Sequence, residues 1–160
     1  MKMTFNPRPK LKDSPDYVTK EKKRTPIKQR SAKKIKEMET DQGMLKFFIQ
    51  IWNSRKPCTD FKPREYATVE DWREHTSQYR VDCVTYEPIR NMVPQNFAHV
   101  LSKQTYGKWR KETKNICLMS MESHALQEFS TKSKLIEQGE GGFFFYEYQE
   151  LLKQEYNTIS

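Results

Sequence analysis

The sequence predicts a small α+β domain carried behind a basic, extended N-terminal arm. Two short strand-like runs, Phe97-Ala98-His99-Val100-Leu101 and Asn115-Ile116-Cys117-Leu118-Met119, are separated by a polar, basic stretch and followed by a helical one, the order of a ββα unit. Apolar residues at 44, 47, 48, 51 and 52 recur at helical spacing, so a helix with one apolar face is expected to pack on that unit. The positive charge sits at one end. Residues 1–36 hold 13 Lys and Arg against three acids, whereas residues 37–160 hold 16 against 18.

Taken in order, residues 1–26 read as an extended arm, because Pro7, Pro9, Pro15 and Pro26 interrupt any helix and there is little to bury. Ser31 is placed to cap a short basic helix running to about Thr40, and Gly43 to break it. The apolar helix then runs over 44–53 and stops before Pro57. Thr68, with Asp71 three residues on, opens a short helix over 68–77. A further strand-like run at 81–85 leads into a turn at Pro88. The loop over 102–114 contains Gly107, and Ser120 caps the helix over 121–129. Gly139, Gly141 and Gly142 read as a flexible joint before a closing helix from 143 to about 156, with Phe144, Phe145, Tyr148, Leu151 and Leu152 on its apolar face. The expected divisions are a basic arm at 1–40, a helical lead-in at 41–80, the ββα core at 81–130, and the joint with its closing helix at 131–160.

Composition narrows the functions on offer. The net charge is +8, concentrated in the arm, which fits a polyanion binder because each neutralised phosphate releases condensed counterions. Lys28, Arg30, Lys33 and Lys34 are the arm's candidate contacts; the bland reading of the same residues is a solvated tail. No apolar run approaches the roughly 18 residues of a membrane span, and no secretory leader is recognisable at the N-terminus. The cysteines are odd in number, and none are spaced Cys-x-x-Cys. Neither a disulfide framework nor a structural zinc is expected, and a reduced, cytoplasmic setting follows.

Three polar residues stand at telling places: His99 in the first strand of the unit, Asn115 opening the second, and His124 on the helix after it. Taken singly each is ordinary: a core histidine, a turn asparagine, a surface histidine. Jointly, with Phe97-Ala98-His99-Val100-Leu101-Ser102-Lys103, Tyr106-Gly107-Lys108-Trp109-Arg110 and Asn115-Ile116-Cys117-Leu118-Met119, they resemble the HNH family of ββα-metal endonucleases over roughly residues 80–130. The likeness is to its phage and bacterial members. The basic lead-in to Phe47, Phe48 and Trp52 more distantly resembles phage NinG-type recombination nucleases.

The resemblance implies metal-dependent hydrolysis of DNA, with RNA as a further candidate substrate. In its terms His99 is the general base, a role that suits an imidazole titrating near neutrality. Asn115 is either a metal ligand or the group that orients the base. His124 is the distal ligand, and Glu128, four residues on along the same helical face, is a supplementary carboxylate. The cofactor implied is a divalent metal, Mg²⁺ or Mn²⁺ first and Zn²⁺ after them. Lys103, Lys108 and Arg110 would hold phosphates. Two departures stand out. Tyr86 occupies a turn position where relatives carry glycine. Ala98 precedes the candidate base where many members carry His or Asp as a ligand. Ala98 leaves three readings open: a metal held by Asn115 and His124 with water and phosphate, His99 as a ligand with another base, or a fold kept for nucleic-acid binding or assembly without catalysis.

Overall fold

A computed structural model describes residues 31–159. The chain divides into two units, 1–31 and 32–160, and every described element lies in the second. Lys28 and Arg30 therefore fall outside the described residues.

Helix α1 (Ala32–Ser54) is one continuous helix, not a basic helix and an apolar helix broken at Gly43. A glycine costs a helix only about 1 kcal/mol relative to alanine. Here the Lys111 side chain crosses directly above Gly43, and an added Cβ would lie 2.9 Å from its Nζ. Met44, Ile51 and Trp52 are buried as the periodicity predicts. At the C-terminal end, Arg80 donates from Nε to the Trp52 carbonyl at 3.1 Å and stacks over the Trp52 ring at 4.6 Å. A cation at that end complements the helix dipole.

Helix α2 (Val69–Thr76) begins as expected, with Thr68 Oγ1 accepting from the Asp71 amide. The 81–85 run is not a strand. Its ladder is reduced to a single bridge between Val81 and Pro88, because the buried Asp82 folds the chain over. Asp82 accepts from the amides of Val84 and Thr85, and from Ser120 N and Ser123 Oγ on the far side. Tyr86 is the one described non-glycine residue with positive φ, at 62°. That is the left-handed conformation a glycine would adopt freely.

Strands β1 (Phe97–His99) and β2 (Ile116–Leu118) form an antiparallel pair, with Phe97 opposite Leu118 and His99 opposite Ile116. Both are shorter than the sequence runs suggest. Helix α3 (Met121–Phe129) follows at once, with Ser120 Oγ accepting from the Ser123 amide. The sheet divides the core in two. Phe97, Ile116 and Leu118 join Ile51 and Trp52 of α1 on one face. On the other, Ala98 and Cys117 join a larger cluster with Trp72, Leu135, Phe145 and Leu152. The alternation of a strand thus sends neighbouring residues into different cores.

Beyond α3, the 131–138 stretch is helical: α4 (Lys132–Gln138) precedes α5 (Gly141–Ile159). The glycines there are a close approach and not a flexible joint. A Cβ at Gly139 or Gly141 would overlap the backbone of Val84 or Cys83, and the Gly141 amide donates to the Val84 carbonyl at 2.9 Å. Trp72 is fully buried, and Trp52 and Trp109 are nearly so, placing all three in the core. His75 is structural: its Nδ1 pairs with the Tyr66 hydroxyl at 2.8 Å, and its ring stacks on Phe61. Cys117 is buried but is more than a small apolar filler. Arg73 Nη1 donates to its sulfur at 3.1 Å, and the Cys83 thiol and Arg73 hold it below the usual thiol range. Among the described residues no helix is long and apolar enough to cross a membrane.

Candidate active site

His99 ends β1 on the face turned toward α1. There the Phe48 ring stacks on Phe97 at 4.5 Å and meets the His99 ring edge-on at 6.3 Å. His99 Nε2 lies 3.1 Å from the Arg110 carbonyl oxygen. A carbonyl only accepts, so this nitrogen carries the proton and Nδ1 keeps its lone pair. Burial lowers the imidazole from its ordinary 6.5. The Arg110 carbonyl opposes that shift, while the charges of Lys103, Arg110 and His124 add to it. The ring is therefore neutral near pH 7, the form a general base requires.

On α3, His124 Nδ1 lies 2.5 Å from the Gln95 carbonyl oxygen, so Nδ1 carries a proton. Its Nε2 faces Glu128 Oε1 at 3.2 Å, an ion pair when the ring is protonated and a two-atom grip for a cation that displaces that proton. A histidine that donates one N–H to a backbone carbonyl and presents the other nitrogen beside a carboxylate has the arrangement of an oriented metal ligand. His99, His124 and Glu128 line one open cleft of about 740 Å³, with Lys103 on the same wall. Of the pair on α3, the Glu128 carboxylate suits a hard cation that keeps most of its own water, and the His124 imidazole suits a borderline one such as Zn²⁺. Among the described residues no group of three His, Cys, Asp or Glu side chains is placed to hold a metal.

Asn115 is brought to the unit but not to the cleft. It is fully buried; its Oδ1 accepts from the Leu101 amide at 2.7 Å, and its Nδ2 donates to the carbonyls of Leu101 and Trp109, each at 3.2 Å. With its oxygen committed to an amide, it has no outward donor for a metal. It ties down the backbone one residue before the carbonyl that holds His99. Ala98 faces the core cluster on the other side of the sheet. On this backbone a side chain at 98 would point away from His124.

The basic residues separate. Lys103 and Arg110 line a smaller cleft of about 330 Å³ with His99 and Asp41. Arg110 also reaches a third one beside Lys33, Lys36 and Glu37 of α1. Lys34 is exposed on the same helix, and Lys108 is exposed on the turn at Gly107–Trp109; neither lines these clefts. Sequence reasoning missed the Gln95 and Arg110 carbonyls that anchor the two imidazoles, since a backbone acceptor has no residue signature. It also missed Asp82, whose position within an apolar run was the sole hint of a buried carboxylate.

Comparison of the chain with protein-family models, with curated proteins and with solved structures returns no match.

Proposed function

We propose that this chain is a metal-dependent endonuclease of the HNH type, hydrolysing phosphodiester bonds of DNA. The observation that carries the reading is a pair of histidines in one cleft, each with one ring nitrogen anchored on a backbone carbonyl and the other free to act. One keeps a free Nδ1 in a setting that holds it neutral, and the other turns Nε2 toward a carboxylate. The left-handed backbone at Tyr86 supports the resemblance, because it is the conformation a glycine at that turn would serve.

The chemistry follows from the residues. Neutral His99 takes a proton from the attacking water at Nδ1, while the Arg110 carbonyl holds its Nε2–H and so its orientation. Asn115 is a positioning residue: it fixes the Trp109 carbonyl and with it the neighbouring carbonyl of Arg110. His124 Nε2 and Glu128 Oε1 would hold the divalent cation, Mg²⁺ or Mn²⁺, with Zn²⁺ to be compared. When bound, the cation stabilises charge on the phosphate and the leaving oxygen. Lys103 and Arg110 hold the phosphate as cations.

The test is nicking of supercoiled plasmid by the purified protein with Mg²⁺, Mn²⁺, Zn²⁺ or EDTA, beside His99→Ala. Nicking supported by a divalent ion and abolished by EDTA and by the variant is expected. A protein that shifts DNA but cuts it with none of these ions is a binder that kept the fold, and overturns the proposal. An RNA competitor cut in preference to DNA would change the substrate class.

A further inference from the structure

We propose that the cleft carries a subsite for an unpaired nucleobase, with the Phe129 ring as its stacking platform and the amides of Gln127 and Gln104 at its polar edge. The inference rests on reading the cleft as a nuclease site, and it goes further by naming the kind of DNA that fits: a strand with a base out of the duplex beside the cut.

Phe129 is the last residue of α3, adjacent to Glu128, and it lines the same cleft as His99 and His124. It is 85 % exposed, more than any other large apolar side chain among the described residues. It makes no ring contact with another described aromatic residue, although the domain is rich in such pairs. The ring therefore adds nothing to the core and stands in water at the rim of the candidate site. Gln127 is half-buried and Gln104 exposed, and neither amide has a hydrogen-bond partner among the described residues. Gln149 in the same cleft is different: its amide is committed to the Val100 carbonyl at 2.7 Å.

An open aromatic face beside uncommitted amides is the chemistry that reads single-stranded nucleic acid. The ring takes the π-face of any base, and the amides offer both a donor and an acceptor to a base edge. A base inside a duplex has both faces stacked and cannot use such a ring without leaving the helix. Lys103 on the same rim supplies a cation for the adjoining phosphate. The substrates that fit are forks, flaps, gaps and single strands.

The experiment uses the full chain in EDTA, so that binding is read without chemistry. The probes are a forked DNA with 2-aminopurine as its first unpaired base and a perfect duplex of matching sequence. Quenching of the fork's fluorescence is expected, with the fork bound at least about tenfold more tightly than the duplex. Phe129→Ala should lose the quench and about tenfold in fork affinity, while Phe129→Trp restores both. Met121→Ala, at the other end of α3 and outside the cleft, is the control and should match the parent. Equal binding of fork and duplex by the parent, or a Phe129→Ala protein that still quenches, overturns the subsite. Failure to nick plasmid with any ion while the quench persists would refute the hydrolysis reading alone.

Discussion

His99 is half-buried, and its surroundings disfavour the charged ring. Two consequences follow with definite sign. In the proposed hydrolysis the active form is neutral, so the acid limb of kcat/KM against pH should have its midpoint below the ordinary 6.5. Lys103→Gln should move that midpoint up toward 6.5 by removing one of the cations that lowers it. Stability follows the same sign. A depressed folded value means the unfolded chain binds the proton more readily below 6.5. The fold thus loses stability as pH falls from 6.5 through the folded value, and His99→Gln should flatten that part of a urea-midpoint profile. Asn115 makes a second residue-scale prediction. Asn115→Ala strands the Leu101 amide and two carbonyls in the core, at a cost of roughly 2–4 kcal/mol. The cutting rate should fall, with metal affinity unchanged because the amide faces no ligand position. A loss of metal affinity instead, measured by titrating Mn²⁺ into the folded variant, would return Asn115 to the ligand set.

The elements differ in how openly the sequence announces them. The caps at Thr68 and Ser120 and the apolar stripe of α1 are local features, and all are found where the residues predict them. The glycines misled, because a glycine in a sequence does not say whether it breaks a helix or lets something pass. At Gly43 the neighbour is the flexible end of Lys111, so Gly43→Ala should raise stability by about 0.5–1 kcal/mol through helix propensity. At Gly141 the neighbour is the Cys83 carbonyl, which is backbone and cannot swing away. Gly141→Ala should therefore destabilise by more than about 2 kcal/mol. Thermal unfolding of both variants checks the pair. A Gly141→Ala protein as stable as the parent would mean that the α5 start does not sit against the 83–84 backbone. The strand-like run at 81–85 misled in a different way: its apolar content is real, but Asp82 gathers four donors, two from the run itself and two from the start of α3, and folds the run into a turn.

Across the whole molecule, charge and chemistry are separated along the chain. Residues 1–36 carry the positive excess, and residues 37–160 are nearly balanced. Binding to plain duplex should accordingly be steeply salt-dependent. Replacing Lys28 and Arg30 by alanine in the full chain should make the slope of log K against log salt less negative by about 2, if each neutralises one phosphate. An unchanged slope would make the arm a solvated tail. The folded part is built around a sheet of only three residues per strand, held because each face has its own core. That arrangement turns His99 toward α1 and the cleft and Ala98 toward α2 and α5, which is why the departure at position 98 leaves the cleft itself untouched.

The order of strand, loop, strand and helix, the apolar face of α1, the caps and the confinement of charge are all legible in the chain, because each is written in local spacing. The sequence also singled out His99, His124 and Glu128, whose side chains share one cleft. The rest depends on contacts between distant parts of the chain. Each imidazole is anchored by a backbone carbonyl: Arg110 lies 11 residues from His99, and Gln95 lies 29 from His124. Asn115 turned inward because its oxygen met the Leu101 amide at 2.7 Å, and Phe129 was left in solvent at the cleft rim. Those outcomes depend on which distant groups folding brings together, and neither periodicity nor composition encodes that directly.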